Sequence, residues 1–90
     1  MDFELALEGE LLKELGRRIR VLRKAQGWTQ QRLADQMGVS RRTVLEMEQG
    51  GNIGLNHWIR AWRAMGRMGA LDEMTDASAE AKFSRLFPER

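Results

Sequence analysis

The chain contains no cysteine, which excludes disulfides and thiolate metal sites and favours an intracellular setting. Histidine is almost as scarce. His57 has neither a cysteine nor a second histidine to complete a zinc site, and no positioned nucleophile accompanies it, so a plain surface position is expected for it. No apolar run approaches the roughly 20 residues that span a bilayer, and the first residues, MDFELALEGELL, are acidic where a signal peptide would open with positive charge. A soluble, cytoplasmic protein is therefore expected. Also missing are a glycine-rich phosphate loop, clustered carboxylates and the material of a catalytic triad, so neither an enzyme nor a cofactor is expected. Finally, no stretch alternates apolar and polar residues as a half-exposed strand would.

What remains is a small helical protein with uneven charge. At 90 residues, 42% of them hydrophobic and 31% charged, the chain can bury one core and little more. Its net charge of +2 is a sum of blocks of opposite sign. Residues 13–67 hold twelve Lys/Arg against four acids (Glu14, Asp35, Glu46, Glu48), which is +8. Residues 1–12 hold four acids and no base, −4, and residues 68–90 hold five acids and three bases, −2. A basic middle suits an anionic partner, although a solvated helical surface would carry the same composition.

Apolar spacing predicts the helices. Leu11, Leu15, Ile19 and Leu22 recur at helical steps and mark residues 9–26 as an amphipathic helix ending before Gly27. Thr29 suits the N-cap of a second helix, residues 30–37, which buries Leu33, Ala34 and Met37, with Trp28 and Leu33 spaced as a hydrophobic staple. The same grammar repeats at once: Gly38 stops the second helix, Ser40 caps the third, and Val39 with Val44 forms a second staple. A joint of three residues fixes the crossing of the two helices. Gly50 and Gly51 end the third helix. Leu55, Trp58, Ile59, Trp62 and Met65 mark the inner face of a fourth, which places the two tryptophans in the core. A short fifth helix is expected near residues 68–74, and Phe83, Leu86 and Phe87 suggest a last turn or two before Pro88.

On a helical wheel the third helix has two distinct sides. Val44 and Met47 face inward with Thr43 and Glu48 on the flanks, while Arg41, Arg42, Leu45 and Glu46 share the outward arc. Arginine can hold guanine O6 and N7 with two hydrogen bonds, glutamate can accept from cytosine N4, and leucine can lie against a thymine methyl. The wheel fits equally well an exposed Arg42–Glu46 ion pair beside an ordinary surface leucine.

The order of elements favours the first of these readings. The segment TQQRLADQMGVSRRTVLEMEQG, residues 29–50, resembles the helix-turn-helix of lambda-repressor-like DNA-binding proteins, the Xre family: T-Q-x-x-L-A, a glycine-centred turn, an apolar-centred helix and a closing E-x-G. The likeness extends over about residues 13–66, including LRKAQGWTQ before the motif and LNHWIRAWRAMG after it. It implies an all-α, five-helix domain whose third helix enters the major groove while the second crosses the sugar-phosphate backbone. By the same resemblance, Gln30 holds a phosphate, Ser40 and Arg41 lie near the backbone, and Arg42, Leu45 and Glu46 face base edges, with Arg41 sharing that role. Gly51 and Asn52 fall in a loop that meets phosphate. Arg23 and Glu48 fall where such proteins hold a partly buried salt bridge between the first and third helices. Two departures stand out. Arg32 replaces a common glutamate, which adds a phosphate contact and removes a capping box, and Leu45 is apolar where relatives keep a polar residue.

The chain then divides into an acidic extension of helix 1 (residues 1–12), the DNA-binding domain (13–66) and a C-terminal dimerisation or partner segment (67–90). Three functions fit this organisation: a repressor that binds an inverted repeat as a homodimer, an antitoxin that also binds a toxin protein, and a protein-protein adaptor on the same scaffold. The basic middle disfavours the adaptor.

Overall fold

The computed structural model describes residues 1–78, and their secondary structure is entirely helical. Its helices are α1 (Glu8–Ala25), α2 (Gln30–Met37), α3 (Arg41–Glu48), α4 (Leu55–Ala64) and α5 (Met68–Thr75). Ahead of α1, residues 2–7 form a turn closed by the Ala6 amide on the Asp2 carbonyl (3.1 Å), with Phe3 lying 4.8 Å under the Arg18 guanidinium. The expected last turn around Phe83, Leu86 and Phe87 lies outside the described residues.

Local chemistry accounts for the boundaries within the first half of the chain. Glu8 and Glu10 in the first turn of α1 and Arg23 and Lys24 in its last turn both complement the helix dipole. The Thr29 hydroxyl accepts from the Arg32 amide at 3.0 Å, and the Ser40 hydroxyl accepts from the Thr43 amide at 3.2 Å, so α2 and α3 each open on a side-chain cap. Between them Gly38 takes φ 71°, a left-handed conformation that ends α2, and the Val39 amide returns to the Ala34 carbonyl at 3.0 Å. Trp28 and Val39, the first members of the two staples, both pack against the core.

That core consists of Ile19, Leu33, Ala34, Met37, Val44, Met47, Trp58, Ala61 and Met65, of which Leu33, Val44 and Met47 are the largest fully buried side chains. Complete burial of a side chain of this kind contributes roughly 1.5–3 kcal/mol. α2 packs on α3 and α4, α1 on α3, and α5 on α4. The α1–α3 contact is especially close: a Cβ on Gly16 would collide with the backbone carbonyl oxygens of Met47 and Glu48. Only glycine permits that crossing.

Two expectations need correction. Leu55 is 64% exposed and Ala61 is fully buried, because the inward stripe of α4 begins one turn after its first residue and runs through Trp58, Ala61, Trp62 and Met65. Trp58 and Trp62 contact each other at 6.0 Å between ring centroids. His57 is not a plain surface residue: it is half-buried beside Gly54, and its Nδ1 is shielded from solvent with no hydrogen-bond partner among the described residues.

Candidate nucleic-acid interface

The inner side chains of α3, Val44 and Met47, are locked into the core, so the opposite side must face outward. On it Arg41 and Arg42 are exposed, and Leu45 and Glu46 are half-buried. Arg42 Nε donates to Glu46 Oε1 at 3.1 Å, one turn away, with the arginine side chain 85% exposed. The ion pair therefore forms in the unbound protein. An exposed pair of this kind contributes only about 0.3–0.5 kcal/mol, so it orients the arginine without committing it.

Behind this surface a buried ionic cluster fixes the pose of α3. Arg23 Nε donates to Glu48 Oε2 at 2.6 Å and its Nη2 to Glu48 Oε1 at 3.0 Å, a two-pronged pair with both side chains nearly excluded from water. The third arm of the guanidinium, Nη1, donates to the Trp28 carbonyl at 2.8 Å. Gln30 completes the cluster, its amide nitrogen donating to Glu48 Oε1 at 3.2 Å. The Glu48 carboxylate thus ties α1 and the start of α2 to the end of α3, and the Arg23 guanidinium adds the loop before α2. Gln30 does not stand free; one of its two amide hydrogens already binds Glu48.

The other sequence-derived positions spread around α3. Arg32 is exposed on the first turn of α2, its guanidinium 5.7 Å from the Trp28 ring. Ser40 is occupied as a cap and also exchanges a hydrogen bond with the Thr43 hydroxyl at 3.1 Å. Gly51 gives its amide to the Glu46 carbonyl at 2.8 Å, so that N–H is not available to an anion, while Asn52 beside it is exposed.

A family model described as a helix-turn-helix domain matches residues 14–77. The chain belongs to this family. Within that helix-turn-helix domain, α2, the Gly38 turn and α3 form the motif, and the exposed arc of α3 is its outer helix face. Another similarity is to a competence pilus inhibition repressor of Acinetobacter baylyi, 49% identical over 37 residues. Those residues are 41% of this chain and 34% of that protein, so the matched segment spans about a third of the repressor's length.

The helix-turn-helix geometry also brings in two residues that the sequence alone did not single out. Arg20, on α1, and Gln49, the C-cap of α3, line a polar cleft of about 260 Å³ together with Arg23, Gln30, Leu45 and Glu48. Arg20 precedes Arg23 by one helical turn, which was visible. That α1 crosses α3 closely enough to place Arg20 next to Leu45 was not. Among the described residues no three His, Asp or Glu side chains gather as metal ligands, and no helix is long and apolar enough to cross a membrane.

Proposed function

We propose that this helix-turn-helix protein is a sequence-specific DNA-binding transcriptional regulator of the Xre type, acting in the cytoplasm as a repressor. The observation that carries this reading is the outward arc of α3, where Arg41, Arg42, Leu45 and Glu46 stand on a helix whose opposite side is fixed by Val44, Met47 and the Arg23–Glu48–Gln30 cluster. A rigid helix edged with forked donors and one acceptor suits the major groove. In this reading Arg42 discriminates guanine, Glu46 orients it or accepts from cytosine, and Leu45 lies against a thymine methyl. Arg41 works at the groove edge. Gln30, Arg32, Ser40 and Asn52 hold phosphates on either side, with the second amide hydrogen of Gln30 as its donor and the positive end of α2 behind it. Gly51 contributes close backbone approach rather than an N–H. The +8 balance of residues 13–67 supplies the non-specific attraction that precedes recognition.

In the same proposal residues 13–66 are the DNA-binding domain, residues 1–12 an acidic extension, and residues 67–90 the segment that makes the protein a homodimer. A single short helix contacts too few base pairs to specify a site, whereas a two-fold dimer sets two such helices about 34 Å apart on an inverted repeat. A second reading, an antitoxin that also binds a toxin protein, draws on an apolar groove beside α5 that would accept a protein partner. Stable complex formation on co-expression with a neighbouring reading frame's product would support it.

Titration of the protein and its Arg42→Ala variant with operator and scrambled duplexes tests the main proposal. Loss of the bidentate contact is expected to weaken operator binding by roughly 1–3 kcal/mol while scrambled DNA is hardly affected. Equal weakening on both duplexes would reduce the outward arc of α3 to a charged surface.

A further inference from the structure

The polar cleft between α1, the start of α2 and the end of α3 holds one charge that the fold does not use. Its lining is Arg20, Arg23, Gln30, Leu45, Glu48 and Gln49. Three of these are committed internally: the Arg23 nitrogens donate to Glu48 and to the Trp28 carbonyl, both Glu48 oxygens accept, and Gln30 gives one amide hydrogen to Glu48. The charges of Arg23 and Glu48 cancel. What remains is Arg20, exposed and with no ion pair among the described residues, and the exposed side-chain amide of Gln49. The cleft therefore has a surplus of one positive charge, and Arg20 carries it.

The cleft opens beside the helix face that the DNA-binding reading turns towards the duplex. Leu45 is its apolar wall and belongs to the outward arc of α3. Gln49 follows Arg42 by seven residues, two turns, and so continues the same side of the helix. Gly16 is what brings α1 within reach: without a Cβ it passes against the carbonyls of Met47 and Glu48, and Arg20 stands one turn further along. An anion at the groove edge near the end of α3 then meets a forked donor from one helix and an amide from another. Charge favours a phosphodiester over a free phosphate ester. Each backbone phosphate carries one negative charge, equal to the surplus in the cleft, whereas a phosphomonoester carries about −1.5 to −2.

We propose that this cleft seats one phosphate of the DNA backbone, with Arg20 as its cation and Gln49 and the second amide hydrogen of Gln30 as neutral donors. The proposal rests on the DNA-binding reading above and adds α1 to the elements that grip the duplex. Arg20 is a positioning residue in it: it fixes where the backbone lies against α3 and reads no base.

Binding of operator and scrambled duplexes across a salt series tests this, with helicity by circular dichroism matched to the wild type. Arg20→Ala should weaken both duplexes by the same factor and lower the salt slope by about one unit. Arg20→Lys should keep the slope, because lysine still meets a phosphate as a point charge. Gln49→Ala should weaken both duplexes at unchanged slope, since a neutral amide displaces no counterion. Arg18 is the control. It lies two residues before Arg20, about 160° around α1, over the Phe3 ring, so Arg18→Ala should leave the slope at its wild-type value. An unchanged slope for Arg20→Ala, or equal losses from Arg18→Ala and Arg20→Ala, would overturn the proposal by making Arg20 ordinary surface charge. A loss confined to the operator would overturn it by making Arg20 a base reader. Inorganic phosphate titrated into the DNA-free protein at fixed ionic strength separates the two sources of phosphate. Saturation of the Arg20 and Gln49 side-chain resonances at micromolar phosphate, with the DNA salt slope of Arg20→Ala intact, would make the cleft a free-anion site and overturn the proposal. Failure of the wild-type chain to bind any duplex would instead overturn the DNA-binding reading.

Discussion

Arg23 and Arg42 have the same side chain and opposite situations. Arg23 is 7% exposed and all three nitrogens of its guanidinium donate within the protein, whereas Arg42, among the described residues, pairs with Glu46 alone and is exposed. Breaking the buried cluster should therefore cost stability rather than specificity. Glu48→Ala leaves the Arg23 charge buried without its partner and removes the acceptor of Gln30, so chemical denaturation should register a loss of roughly 3–5 kcal/mol. A loss below about 1 kcal/mol would mean that the cluster contributes orientation only. Arg32 behaves differently again. It lies on the first turn of α2, where the account places a phosphate, so Arg32→Ala should weaken operator and scrambled DNA alike and lower the salt slope by about one unit. A change in the specificity ratio would assign Arg32 to bases instead.

At the scale of elements, what the sequence revealed depends on how far apart the determining residues lie. The α2–turn–α3 unit was legible almost to the residue because its determinants are neighbours: Thr29 and Ser40 as caps, Gly38 as the left-handed stop, and Trp28 and Val39 as staples. Features made by distant segments were not. Nothing around Gly16 announces that α1 approaches the carbonyls of Met47 and Glu48 so closely, and the cleft joining Arg20 to Gln49 exists only because of that approach. The inner face of α4 was read one turn too early at Leu55, since periodicity locates a stripe but not where the neighbouring helices stop covering it. The half-buried His57 was missed for the same reason. Gly16 supports a prediction at this scale. Gly16→Ala must push α1 away from α3, and overpacking of this kind typically costs 1–3 kcal/mol. For a domain of this size each kcal/mol lowers the melting temperature by about 4–8 °C. An unchanged melting temperature would show that α1 can shift without cost, and with it the position of Arg20.

For the molecule as a whole, charge and apolar surface are segregated along the chain. The basic stretch at 13–67 contains the helix-turn-helix motif, while the acidic N-terminal turn and α5 border the apolar groove. The central claim is that α3 reads base sequence as one of a symmetric pair. Affinity selection of the 90-residue chain on a pool of random duplexes is the sharpest test. Enrichment of an inverted repeat whose half-sites are centred about one helical turn, 34 Å, apart is the expected outcome. Retention of the pool with no sequence enriched would contradict it, because the basic surface would then be holding phosphates alone.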